Sequence, residues 1–89
     1  MVEKVYKVSN NLGLHARPAS LFVTTTSRFH SSVKVIKDRQ EIDGKSIMGL
    51  LMLAAGPGTL LRIRANGPDE NEVITALDDL FARKFDDEN

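Results

Sequence analysis

The chain has no cysteine. That absence excludes disulfides, thiolate nucleophiles and Cys-rich zinc sites, and it fits a reducing compartment. Neither sign of charge is in excess: 12 Lys plus Arg face 12 Asp plus Glu. Long-range attraction to a phosphate backbone or to anionic lipid is therefore weak, and neither nucleic acid nor membrane is expected as a partner. No window approaches the ~20 apolar residues of a membrane span, and "MVEKVYKVSN" offers no apolar stretch for a leader. A soluble cytoplasmic protein is the expectation. Histidine is scarce, with only His15 and His30, fifteen positions apart, so no metal-ligand spacing exists. "AAGPGT" has no lysine after its glycines and is no P-loop. Nothing around Ser9 or Ser20 resembles a nucleophile elbow. No metal and no cofactor are expected.

What is present suits one small domain over residues 1–89, with 42% hydrophobic residues to fill a modest core. Val2 to Val8 reads as a strand and runs into the turn formers "SNNLG". From Pro18 to about Arg28 a helix is predicted, with Ala19, Phe22, Val23 and Thr26 on one face and Phe29 extending it. The β-branched threonine run weakens that reading. "SVKVIK" (Ser32 to Lys37) and "DRQEID" (Asp38 to Asp43) read as a hairpin whose second strand is an edge. Ser46 is the predicted N-cap of an apolar helix over Ile47 to Ala55, which ends at "GPG". Leu60 to Asn66 alternates Leu61, Ile63 and Ala65 against Arg62 and Arg64, as a half-buried strand does. A last helix opens with Asp69 and Glu72 at capping-box spacing and carries Val73, Ala76, Leu77, Leu80 and Phe81 as its apolar stripe. The closing "DDEN" is read as a frayed acidic tail. The order β, α, β, β, α, β, α predicts an α+β, open-faced two-layer sandwich: a four-stranded antiparallel sheet covered on one face by three helices.

Some apolar residues exceed what this core needs. Leu21 lies opposite the buried stripe of its helix and is predicted to project into solvent. If Leu50 and Leu53 face the core, then Met48, Leu51 and Met52 are left outside, with Ile47 between the faces. Several exposed apolar residues beside a reactive side chain suggest a partner surface, and methionine adapts to differently shaped partners. Simple burial of an apolar helix, or a homodimer, would also cover them.

The reactive side chain is His15, in "GLHARPAS". A neutral imidazole nitrogen is a competent nucleophile near neutral pH. Free N–H groups and the dipole at a helix start bind anions, so a phosphoryl group is the electrophile to consider. Arg17 adds a forked guanidinium for phosphate oxygens, and Gly13 frees the loop to bring the ring over the helix end. The plainer alternative leaves His15 as a residue leading into the helix and Arg17 as a solvated charge. His30 reads as a solvated residue after the helix.

Two motifs carry a resemblance. "GLHARPAS" and "GKSIMGLLML", at the spacing found here from His15 to Ser46 and followed by "ANGPDENEVITAL", resemble the HPr family of histidine-containing phosphocarriers of the bacterial phosphoenolpyruvate-dependent phosphotransferase system. The resemblance covers essentially the whole chain. It implies a carrier rather than a turnover enzyme: His15 accepts a phosphoryl group on Nδ1 from enzyme I and passes it to an enzyme IIA domain, assisted by Arg17. Ser46 matches the position phosphorylated by HPr kinase/phosphorylase. Ser20, Leu21, Ile47, Met48 and Leu51 match the docking surface, and the carrier is expected to act as a monomer. Leu12 before Gly13, the lack of a glycine near Ala54, "LLML" and "FDDEN" look like the nitrogen-related branch, called NPr. "KSIM" looks like the kinase-regulated sugar branch, so the choice of branch stays open. A module that regulates by contact alone, with His15 unphosphorylated, is the alternative from another class.

Overall fold

A computed structural model describes residues 1–86 of the chain. The elements are β1 (Val2–Lys7), α1 (Ala16–Thr26), β2 (Ser32–Lys37), β3 (Gln40–Asp43), α2 (Ile47–Met52), β4 (Leu60–Asn66) and α3 (Glu70–Ala82), followed by a 3-10 turn over Lys84–Asp86. All strand pairs are antiparallel, in the order β1-β4-β2-β3. The predicted α+β sandwich and its element order are therefore what the chain forms, with β3 at an edge. No helix among the described residues is long and apolar enough to cross a membrane.

The register explains the burial. Tyr6 lies opposite Leu61, and Val35 and Ile63 face each other across the central pair. Side chains across an antiparallel pair share a face, so Tyr6, Val33, Val35, Leu61, Ile63 and Ala65 line the inner face and are buried. Ala19 and Phe22 from α1, Leu50 from α2, and Val73, Leu77 and Leu80 from α3 close over them. Phe81 stacks on Tyr6 at 4.5 Å between ring centroids and meets Phe22 edge-on. Lys4 also points to the inner face, at the sheet margin. There its ammonium and the Tyr6 hydroxyl both donate to the Asp78 carboxylate of α3 at 2.7 Å. Burial first, and then the bond to Asp78, raise the Tyr6 phenol above its ordinary pKa. The opposite face is uncovered. Val5, Ile36, Leu60 and Arg62 surround a shallow hollow of about 300 Å³ there.

Several predicted boundaries shift. α1 begins at Ala16, two residues before Pro18, because a first-turn proline removes no intrahelical donor and the helix can start ahead of it. Its face is as predicted for Ala19, Phe22 and Thr26, whereas Val23 and Phe29 are half-buried against the core. The hairpin pairs Lys37 with Gln40, so Asp38 and Arg39 form the turn rather than the start of β3. Asp38 takes the left-handed φ of +53° that aspartate tolerates in turns. α2 stops at Met52 instead of Ala55, with Ala54 turned to φ +52°.

The capping box does not form. Asp69 makes no side-chain cap bond. Its carboxylate instead accepts from the N–H groups of His30 and Ser31, both at 2.9 Å, and from the Ser31 hydroxyl. Those donors, the Ser31 hydroxyl foremost, hold its pKa down at about 2. The exposed His30 thus ties the α1–β2 loop to α3 through its backbone. The start of "DDEN" is ordered: Asp86 closes the 3-10 turn and pairs with Arg83, while the buried Phe85 packs edge-on against Phe81. The rest of that tail lies outside the described residues.

Candidate functional site

His15 is the N-cap of α1, with extended backbone angles. Its carbonyl accepts the first intrahelical bond, from the Ala19 N–H at 2.9 Å. The N–H groups of Ala16 and Arg17 precede that bond, and Pro18 has none to offer. The His15 side chain does not cap the helix, and the first turn holds no acidic residue. The imidazole is half-buried, and Arg17 and Ser20 are exposed. A helix N-terminus without a side-chain cap, an imidazole and an exposed guanidinium are thus gathered within three residues.

The loop before His15 is held firmly, which the sequence did not disclose. Asn10 Nδ2 donates to the Gly13 carbonyl at 2.7 Å, and the Leu14 N–H donates to the Ala55 carbonyl at 2.8 Å. Val8 exchanges bonds with Thr59 and Gly58, extending the β1–β4 pairing toward this loop. Gly13 adopts φ +73°, and a Cβ there would lie 2.4 Å from the Ala55 oxygen and 2.7 Å from Gly56 Cα. Glycine is required for close approach as much as for its backbone angle. The predicted freedom of Gly13 is in fact a fixed packing position.

α2 presents the second part of the site. Ser46 is its N-cap as predicted, with Oγ accepting from the Gly49 N–H at 3.0 Å. Leu50 and Leu53 are buried, while Ile47, Met48 and Leu51 are exposed, Met48 to 67%. Leu21 departs from its predicted projection into solvent: it is half-buried and packs against the core. Two further apolar residues are exposed near these elements of the sequence, Met52 at 72% and Leu12 at 62%. Met52 stands on the outer face of α2, one turn after Met48, as its spacing implied; no periodicity signals Leu12, which lies in a loop. Among the described residues no cluster of His, Cys, Asp or Glu is arranged to hold a metal ion.

A family profile described as "PTS HPr component phosphorylation site" matches residues 2–83. The chain belongs to the HPr family. Phosphocarrier protein HPr of Treponema pallidum is 43% identical over 88 residues, covering 99% of this chain and 100% of that protein. Phosphocarrier protein HPr of Neisseria meningitidis is 45% identical over 85 residues, covering 96% of both chains. Among solved structures, HPr-C-His from Thermoanaerobacter tengcongensis superposes with a TM-score of 0.95 at 45% identity, covering the whole of both chains. Membership in the HPr family supports a phosphocarrier role in the phosphotransferase system rather than that of an enzyme acting alone.

Proposed function

We propose that His15 accepts a phosphoryl group on Nδ1 from enzyme I and passes it to an enzyme IIA domain, the chain acting as a monomeric single-domain carrier in the cytoplasm. The supporting observation is the place of His15 at the open N-terminus of α1. In the transfer, the ring nitrogen's lone pair forms the N–P bond while the donor's bond to phosphorus breaks. The dianion then stands beside the N–H groups of Ala16 and Arg17 and the positive end of the helix, doing what a capping carboxylate does elsewhere. The Arg17 guanidinium pairs with the phosphoryl oxygens as they gain charge. The family role and this geometry together favour a carrier over a module acting by contact alone.

Docking falls to Ser20, Leu21, Ile47, Met48 and Leu51, extended by Met52. An apolar face with two methionines accommodates both the donor and the acceptor. Ser46 is the proposed regulatory site, for HPr kinase/phosphorylase. Its oxygen already meets the Gly49 N–H, so phosphorylation there places a dianion at the start of α2, strengthening the cap while putting negative charge against the docking face. Ser46→Asp should slow acceptance from enzyme I while stabilising α2; an unchanged rate with unchanged helix stability sinks the regulatory reading.

The carrier reading is tested by incubating the protein with enzyme I and phosphoenolpyruvate and following its mass. An acid-labile phosphoryl adduct that disappears in His15→Ala supports it; failure of cognate enzyme I to modify the native chain overturns it. Sugar-type and nitrogen-type partners assayed in parallel assign the branch.

A further inference from the structure

We propose that Lys37 is a positioning residue that ties the C-terminal end of α2 to the loop carrying His15. Lys37 is the last residue of β2 and is half-buried. Its ammonium donates to the Leu53 carbonyl at 2.8 Å. Leu53 is the C-cap of α2, and no basic residue occupies the last turn of that helix. The terminal carbonyls of a helix have no intrahelical partners and form the negative end of its dipole. A cation from the neighbouring strand satisfies both needs.

The chain leaving Leu53 leads directly to the phosphorylation loop. Ala54 turns at φ +52°, a conformation unfavourable for a residue with a Cβ. Ala55 follows, and its carbonyl accepts the Leu14 N–H at 2.8 Å and lies in the space a Cβ on Gly13 would need. The strained alanine is therefore clamped from both sides, by Lys37 at Leu53 and by Leu14 at Ala55. Loosening the first clamp lets Ala54 relax, rotates the Ala55 carbonyl, and releases the residue that precedes His15. Through this path the exposed face of α2 and the His15 ring keep a fixed relation, which a partner touching both at once requires. The consequence for phosphoryl acceptance rests on His15 being the acceptor; the mechanical tie does not, and it is tested without any phosphoryl donor.

The test is amide hydrogen exchange and His15 side-chain NMR on the full chain carrying Lys37→Met, with Lys37→Arg as rescue and Arg39→Met, which removes the same charge from the adjoining turn, as control. Loss of a charged hydrogen bond should accelerate Leu14 exchange roughly tenfold or more. The Ser31 amide, bonded to Asp69 just before β2 and away from Lys37 at its other end, should be unchanged, and the His15 ring resonances should shift. Lys37→Arg should restore protection, and Arg39→Met should do nothing. Unchanged Leu14 protection overturns the proposal. So does equal acceleration at Leu14 and Ser31, which marks an effect not confined to the α2–β4 loop, or an equal effect from Arg39→Met. If Lys37→Met does not fold, Lys37→Gln serves in its place: it keeps a donor without the charge and should give an intermediate acceleration at Leu14, whose absence is equally fatal.

Discussion

Replacing Gly13 by alanine perturbs the site without touching its chemistry. An L-residue in the left-handed region costs roughly 1–2 kcal/mol. The added Cβ also meets the Ala55 oxygen at 2.4 Å, far inside van der Waals contact, so one of the two loops must move. That displacement breaks the bond from the Leu14 N–H and leaves a buried donor unsatisfied, at roughly 1–3 kcal/mol. Against this, alanine restricts the unfolded chain and returns roughly 0.4–1 kcal/mol. The balance is a loss of about 3 kcal/mol. For a domain of this size that lowers the melting temperature on the order of 10–20 °C. Urea unfolding followed by circular dichroism measures it, with an unchanged m-value showing that the denatured state is the same. Gly56→Ala is the internal control, since a Cβ there meets nothing within 4 Å; it should stay within about 0.5 kcal/mol of the native chain. A Gly13→Ala loss under about 1 kcal/mol, with the Leu14 amide resonance unmoved, would refute the reasoning about close approach.

Other outcomes follow from the same geometry. Ala54→Gly should stabilise the protein by about 0.5–1 kcal/mol, because it removes a left-handed alanine and gives back only part of that gain as unfolded-state entropy; thermal unfolding checks this, and a lower melting temperature contradicts it. Asp69 has its folded pKa lowered from 3.8 to about 2, so its contribution to stability is complete above 3.8 and is lost as pH falls through about 2. Ser31→Ala removes the largest cause of that shift and should flatten the acid limb of a stability-against-pH curve; an unchanged slope contradicts the assignment. Ser46→Ala should cost about 1 kcal/mol through the lost N-cap, read by urea unfolding.

Much of the architecture could be read from alternation and stripes because the inner faces follow them. Leu61, Ile63 and Ala65 are all buried, and Leu50 and Leu53 divide α2 as their spacing implied. β1 alternates poorly for a reason visible only in three dimensions: Lys4 sits on the inner face at the sheet margin, where Asp78 of α3 receives it. Asp69 and Glu72 stand at capping-box spacing, yet the loop donors at His30 and Ser31, far away in sequence, outcompete the local cap. Leu21 lies away from the buried stripe of α1, but its long side chain still reaches the edge of the core. The site divides in the same way. His15, Arg17 and Ser46 were marked by residue type and local helix starts. The support from Ala55, Gly56 and Lys37 was not, because it depends on how the α2–β4 loop packs against the loop from Asn10 to Leu14, a long-range contact without local periodicity.

The proposed carrier chemistry places the phosphoryl group on the His15 imidazole itself. Nitrogen-15 NMR of the chain labelled at histidine, recorded while enzyme I and phosphoenolpyruvate are present, tests it most directly. Phosphorus coupling should appear at Nδ1 of His15 alone, His30 should be unaffected, and the signal should disappear on acidification. Coupling at His30, or phosphate that survives acid and is found on a hydroxyl, would contradict it.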